Sequence, residues 1–333
     1  MATVAGGVLL SSRRLLPYAE PPLPGTVSSV STPGVNAGIS AENVVDLREF
    51  FHALGSFSPS RALTEAPAIR TECDVPVEMI DTDPAEITAT PIEVEGFIDG
   101  VQAALCVTYR GHRPVYLTYV AAGVGSTDGR LLAVKERLEI LHSQLDTEWV
   151  DTIASGIQAV ELAETRPDEL ASAAISVLGG ERETMERSLI EDIVDTRNAN
   201  LVVDGSLVGR PVRRQLLGVV KTTMRRYLPD ESVLWGLPAG WRSPRFVIPT
   251  GSQGVRAPRY SCYLRLHDAS RQAWNFGLVR LETFDLDLLE PLAALALQER
   301  QPAGSHDRRY DRHLSGVRAT EDLLRARRPT VFG

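Results

Sequence analysis

The sequence predicts an α/β fold: a mixed sheet flanked by helices, preceded by a partly irregular N-terminal arm. Three observations carry that expectation. Two apolar runs, EVEGFIDG and LVVDGSLVG, each end in Asp-Gly, the way buried strands open into turns. A long stretch between them repeats its apolar residues at helical spacing. Further alternating runs follow the second Asp-Gly, so strands and helices are interleaved rather than segregated.

The elements follow in order. Residues 1–90 read as an N-terminal arm with one helix, an oligomerisation or docking element. Its first forty residues are rich in Pro, Ser, Gly and Val without a sustained period. SAENVVDLREFFHALGSF predicts an amphipathic helix opened by Ser40 as N-cap, with Glu42 in its first turn and Gly55 near its end. A Pro- and acid-rich connector leads to the main domain, 91–333. There EVEGFIDG, VQAALCVTYR and RPVYLTYVAAGV predict three successive strands of an antiparallel meander, with turns at Asp99-Gly100 and at GHRP. Leu131, Leu138, Leu141, Leu145 and Trp149 recur at helical spacing and predict one long helix over LLAVKERLEILHSQLDTEWVDTIASGIQAVELA. ERETMERSLIEDIVDTRN predicts a second, with Met185, Leu189 and Ile193 on one face, running into the strand NLVVDGSL. PRYSCYLRLHD and WNFGLVRLETF predict two more strands, and LDLLEPLAALALQER a further helix.

Composition narrows the function classes. The chain has 333 residues, 43% hydrophobic and 23% charged, as expected of a globular protein in solution. No apolar run approaches the roughly 20 residues that span a bilayer. VAGGVLL is followed, not preceded, by Arg-Arg, so no secretory leader is expected. Cys73, Cys106 and Cys262 are scattered without a CxxC pair, which points to a reducing cytoplasm rather than a disulfide framework. The net charge of −8 is unpromising for a nucleic-acid protein, but basic residues cluster in GRPVRRQLLGVVKTTMRRYL, in WRSPRF and in the C-terminal tail. A charge-segregated chain can hold a basic groove inside an acidic whole. GxxxxGK[ST], HExxH and GxSxG are all absent, so nucleotide hydrolysis by this chain, zinc-protease and serine-hydrolase chemistry are not expected.

Three strands, helices, then a strand ending in an acid is the order a ribonuclease-H-like fold produces. Asp99 and Asp204 would then stand at neighbouring strand ends, with a helix bringing a Glu alongside. Carboxylates suit Mg²⁺ and Mn²⁺, hard cations that prefer oxygen. Two such ions can activate a water and stabilise a leaving oxygen in phosphodiester hydrolysis. Glu186 is the first choice for the helix acid, because its face also carries Ile190 and Ile193, with Glu183 one turn away as the second. Lys221 is a candidate for contacting a phosphate or a developing negative charge.

These pieces, in this order, resemble the NurA nucleases. FIDG is similar to that family's first strand motif, RETMERSLIEDI to the helix whose Glu precedes the second Asp, and LVVDGSLVG to its Asp-Gly-Ser-Leu signature. GVVKTT, with Lys221, and LVRLETF resemble later stretches. The resemblance implies a ribonuclease-H-like, metal-dependent deoxyribonuclease. Asp99, Glu186 and Asp204 would hold Mn²⁺ or Mg²⁺, with Lys221 and Tyr310 as further catalytic residues and the arginines from 213 to 226 positioning DNA. It also implies a homodimer that processes DNA ends with a HerA-like hexameric ATPase. The tail departs from the pattern: where the family carries a His about eight residues after the Tyr, this chain has Arg318, with Asp307 and His313 nearby as substitutes. The alternative is a catalytically silent adaptor that docks onto such an ATPase ring.

Overall fold

The structure, a computed structural model, describes residues 77–154, 156–221, 227–250, 257–270, 272–302 and 310–332. The helix expected over residues 40–55 and the arm before it lie outside the described residues. In the Pro- and acid-rich connector two short strands form, β1 (Glu78–Met79) and β2 (Ala85–Glu86). β3 (Gly96–Arg110), β4 (Arg113–Ser126) and β5 (Leu131–His142) are then an antiparallel meander. Next come α1 (Thr147–Ala154), β6 (Gln158–Glu161), α2 (Leu170–Arg197), β7 (Leu201–Asp204) and β8 (Leu216–Val220). The one-turn α3 (Ser232–Trp235) precedes β9 (Trp241–Arg242), β10 (Phe246–Ile248), β11 (Arg259–Arg265) and β12 (Leu278–Thr283). Two helices close the described chain, α4 (Leu289–Glu299) and α5 (Ser315–Arg327).

All of the described strands belong to one mixed sheet, whose main path runs β1-β10-β11-β12-β8-β7-β3-β4-β5-β6. β3, β7 and β8 are mutually parallel at its centre and antiparallel to β4 on one flank and β12 on the other. The period-two alternation of a strand divides the core into two layers. Ile98, Leu201, Val203 and Leu216 pack under α2, whose Leu178, Met185, Leu189, Ile190 and Ile193 are buried against them. Phe97, Val202, Leu217 and Val219 pack on the other face against Leu292, Ala293 and Ala296 of α4 and Val317 of α5. Truncating a fully buried anchor such as Leu189 to Ala costs about 2–5 kcal/mol in sites of this kind. α2 stops where Asn198 takes a left-handed conformation (φ 51°) and its N–H caps the Val194 carbonyl. Asn tolerates that conformation better than most residues.

Two expectations are corrected. Residues Leu131–His142 form a strand, not the start of a long helix, and among the described residues of that stretch only Thr147–Ala154 is helical. The charges that make β5 look like a helix surface are answered from both sides of the sheet. Lys135 reaches Asp192 of α2 at 2.8 Å, while Glu136 on the opposite face accepts from Tyr119 Oη at 2.9 Å and from Arg327 Nη2 of α5 at 2.6 Å. With Lys135 and Glu136 paired, β5 keeps its ladder to β4 from Tyr116↔Leu141 to Gly125↔Leu131, with one irregularity at Val124/Gly125, and tertiary pairing overrides local spacing. The second correction is that Asp99-Gly100 is no turn. β3 runs straight through it, with Asp99 opposite Gly123 and Gly100 opposite Ala122.

Candidate functional site

What ends at Asp99 is its neighbour. β3 and β7 pair in parallel from Gly96↔Leu201 to Ile98↔Val203, and the next residue on each strand is Asp99 and Asp204. β7 stops there, and Gly205, at φ 122°, turns the chain away, a conformation that favours glycine. Alternation puts both acids on the face of Phe97 and Val202. Lys221, directly after β8, shares that face, and its Nζ lies 2.7 Å from Asp204 Oδ2. Asp99 is 8% exposed, and its carboxylate accepts the Gly100 N–H at 2.8 Å. Burial, then the charge of Asp204, pushes its pKa up to about 8, with Glu321 adding to the rise and Lys221 and the Gly100 N–H opposing it. Two acids thus face one ammonium, and a proton on Asp99 relieves the excess.

Glu186 comes from the other layer. It is the buried acid of the α2 pair, whereas Glu183 is exposed. Its carboxylate rests over Gly100, where any Cβ would stand 2.6 Å from Glu186 Oε1. Gly100 shares the face of Ile98, so Glu186 and the aspartates lie on opposite sides of β3. Arg210, in the loop after β7, donates to Glu186 Oε2, and Arg182 Nε lies 3.9 Å from Oε1. The expectation that Glu186 faces the sheet with Ile190 and Ile193 holds, and guanidinium groups are its partners here.

The Asp-Gly-Ser-Leu loop is held from β12. Glu282, with no exposure, accepts from Ser206 Oγ at 2.9 Å and from the Leu207 N–H at 2.8 Å, and it pairs with Arg259 Nη1 at 2.9 Å and Arg280 Nη2 at 2.5 Å. Burial would raise this carboxyl, yet the two arginines, with the loop's donors, hold it below the usual range. The Arg-x-Glu of LVRLETF therefore fixes the turn that follows Asp204.

The tail returns to the same region. Tyr310–Arg312 form a 3₁₀ turn from which Arg312 Nη1 donates to the Lys221 carbonyl at 2.9 Å. The Tyr310 side chain and Asp307 lie outside what is described. α5 lies across β3, with Thr320 Oγ1 3.4 Å from the Phe97 carbonyl, and this brings Glu321 close enough to raise Asp99. Arg318 is bound to Glu321 at 3.3 Å and Asp322 at 3.0 Å. His313 precedes α5, its carbonyl accepting the Gln301 N–H. Glu321 and Arg312 were not singled out in the sequence, because their approach to Asp99 and Lys221 depends on where the tail packs, which no local spacing encodes. Of the arginines expected to hold a backbone, Arg213 is 2.9 Å from Asp195 and Arg214 is paired with Asp285. Arg225 and Arg226 lie outside the described residues.

Asp99 and Asp204 offer adjacent carboxylate oxygens, the donor type that hard divalent cations prefer. Among the described residues no three His, Cys, Asp or Glu side chains are grouped so as to hold a metal ion. No protein-family model matches the chain, and no curated protein matches it by sequence. Among the described residues, no helix is long and apolar enough to cross a membrane.

Proposed function

We propose that the chain is a metal-dependent deoxyribonuclease of ribonuclease-H-like architecture. It would use Mn²⁺ or Mg²⁺ and act as a homodimer on DNA ends with a HerA-like hexameric ATPase. One observation carries the reading: Asp99 and Asp204 stand side by side on parallel strands with more negative charge than Lys221 neutralises. A buried Asp99 beside Asp204 costs the fold stability unless a proton or a cation answers it, and a cationic ligand is the explanation we adopt. When bound, the ions would supply the activated water and the charge stabilisation of the leaving oxygen. Asp99 and Asp204 would hold them, and deprotonation of Asp99 would accompany binding. Lys221 Nζ, anchored on Asp204 and backed by Arg312, would meet the phosphate from the same face. Glu282 keeps the loop after Asp204 still, while Glu186, across β3 from the aspartates, is held by Arg210 and Arg182 and would brace the strand rather than ligate the ion.

A second reading, a silent adaptor on the ATPase ring, is favoured by the two arginines that already occupy Glu186 and by Arg318 in the tail. Digestion of labelled single- and double-stranded DNA with Mn²⁺, with and without the ATPase, separates the two. We expect cleavage by the parent protein and none by Asp204→Asn, with thermal unfolding essentially unchanged. An Asp204→Asn protein that cleaves at the parent rate refutes the site. No cleavage by the parent under any divalent metal leaves the adaptor.

A further inference from the structure

Beyond Asp99 the sheet is open on one side. β7 leaves β3 after Ile98↔Val203, and no described strand replaces it. From Gly100 onward β3 is therefore paired with β4 alone. Proteins normally cover or blunt such an edge. Here the helices of the two layers flank it instead and leave a slot between them. Five consecutive edge residues, Gly100 to Ala104, form the floor of a cleft of about 530 Å³. Arg182 of α2 stands on one wall, and Glu321, Arg325 and the following Arg328 stand on the other.

The lining has a chemical bias. Three guanidinium groups and one carboxylate line it, and that carboxylate is already bound by Arg325 Nη2 at 2.5 Å and Arg318 Nη1 at 3.3 Å; the Glu186 carboxylate at the Gly100 end is itself bound by Arg210 and stands 3.9 Å from Arg182 Nε. Arg182 Nε is buried and has no hydrogen-bond partner. In a chain of net charge −8 this is a cationic slot. It is one layer deep, because α2 and α5 sandwich a single sheet, and it begins at the residue next to Asp99. An extended anion fits that description; a double helix, being far thicker than one strand, does not.

We infer that this slot is the path of one unpaired nucleic-acid strand, whose phosphates are held by Arg182, Arg325 and Arg328 on the way to Asp99. Phosphate suits these walls because guanidinium binds it bidentately, and the edge N–H groups of β3 add donors along the floor. The inference rests on the nuclease reading for the destination of the strand, but strand binding is a separate property that an adaptor could share.

The test is therefore binding without catalysis. Fluorescence anisotropy of a labelled single-stranded oligonucleotide is followed in EDTA as salt is raised, for the parent, for Arg325→Ala/Arg328→Ala and for Arg325→Lys/Arg328→Lys. Each lost phosphate contact should lower the slope of log affinity against log salt by about 0.7. The double Ala variant should thus lose about 1.4 in slope and bind several-fold more weakly, while the Lys pair restores most of the slope and shows that the fold is intact. Equal affinity and slope in parent and Ala variant would overturn the inference. So would a blunt duplex that binds as tightly through the same arginines. An acidic peptide that binds with this arginine dependence while the oligonucleotide does not would reassign the slot to a protein strand. Absence of cleavage by the parent in the separate digestion would remove the nuclease reading alone.

Discussion

Two acid clusters of this sheet, one on β12 and one where β3 and β7 run side by side, are built in opposite ways. Glu282 has two arginines, a hydroxyl and a backbone N–H arranged around it, so its charge is answered and its pKa is depressed. Asp99 and Asp204 have one lysine between them, and Asp99 is pushed up to about 8. The first cluster is complete within the protein and holds a turn. The second has less positive charge within the protein, and a proton on Asp99 offsets the difference. Burial alone would not have told them apart; the count of partners does.

The largest effect should come from breaking the complete cluster. Glu282→Ala leaves Arg259 and Arg280 buried without a counter-charge and frees the loop after Asp204. A loss of about 3–5 kcal/mol is expected, read by urea unfolding at neutral pH. A loss under about 1 kcal/mol, the range of exposed pairs, would show that the network is not what holds the turn.

The pH dependence of the incomplete cluster is the next largest effect. The pKa of Asp99 is raised from 3.8 to about 8, so the folded protein keeps a proton that the unfolded chain has given up. Its contribution is present at low pH and is lost as pH rises through that interval, flattening above about 8. Glu282, being depressed, contributes with the opposite sign and loses its share on acidification. Melting temperatures measured without metal across the interval should fall less steeply in Asp99→Asn than in the parent. Mn²⁺ affinity, measured calorimetrically, should climb toward pH 8 because the ion competes with the proton. Parallel melting curves for parent and variant would mean that Asp99 is not the group taking up the proton.

The smallest effect is a control outside both clusters. Gly180 lies within α2, and a Cβ there meets nothing within 4 Å. Gly180→Ala should raise stability by about 0.5–1 kcal/mol and leave both clusters untouched. A loss of stability would mean that the helix needs the glycine for close approach or bending.

Much of this was legible in the residues. The apolar run of LVVD, the buried stripe Met185-Leu189-Ile193 and the alternation of LVRLET each contain their own pattern, and the structure forms the elements they predict. β5 was not legible because the signal that makes Lys135, Glu136 and Arg137 tolerable in a strand lies on α2, α5 and β4, remote in sequence. Asp99 and Asp204 were recognisable from their Asp-Gly context, although the context misplaced the strand end by one neighbour. The approach of Glu321, and the face from which Glu186 enters, depend on which side of β3 each helix packs. No local spacing encodes that choice.

The parallel pairing of β3 with β7 also sets an order of events during folding. The β3–β4 and β4–β5 hairpins close from residues adjacent in the chain, whereas Ile98↔Val203 closes a loop of about a hundred residues. Long-range parallel pairing is slow, because the loop entropy is lost before the contacts form. Asp99 is thus locked into its ladder early, and its partner acid arrives late. Synthesis reaches residue 204 only after every residue of the meander has been made, so Asp99 waits for its partner acid, and a property that needs both carboxylates should appear in the last kinetic phase of refolding.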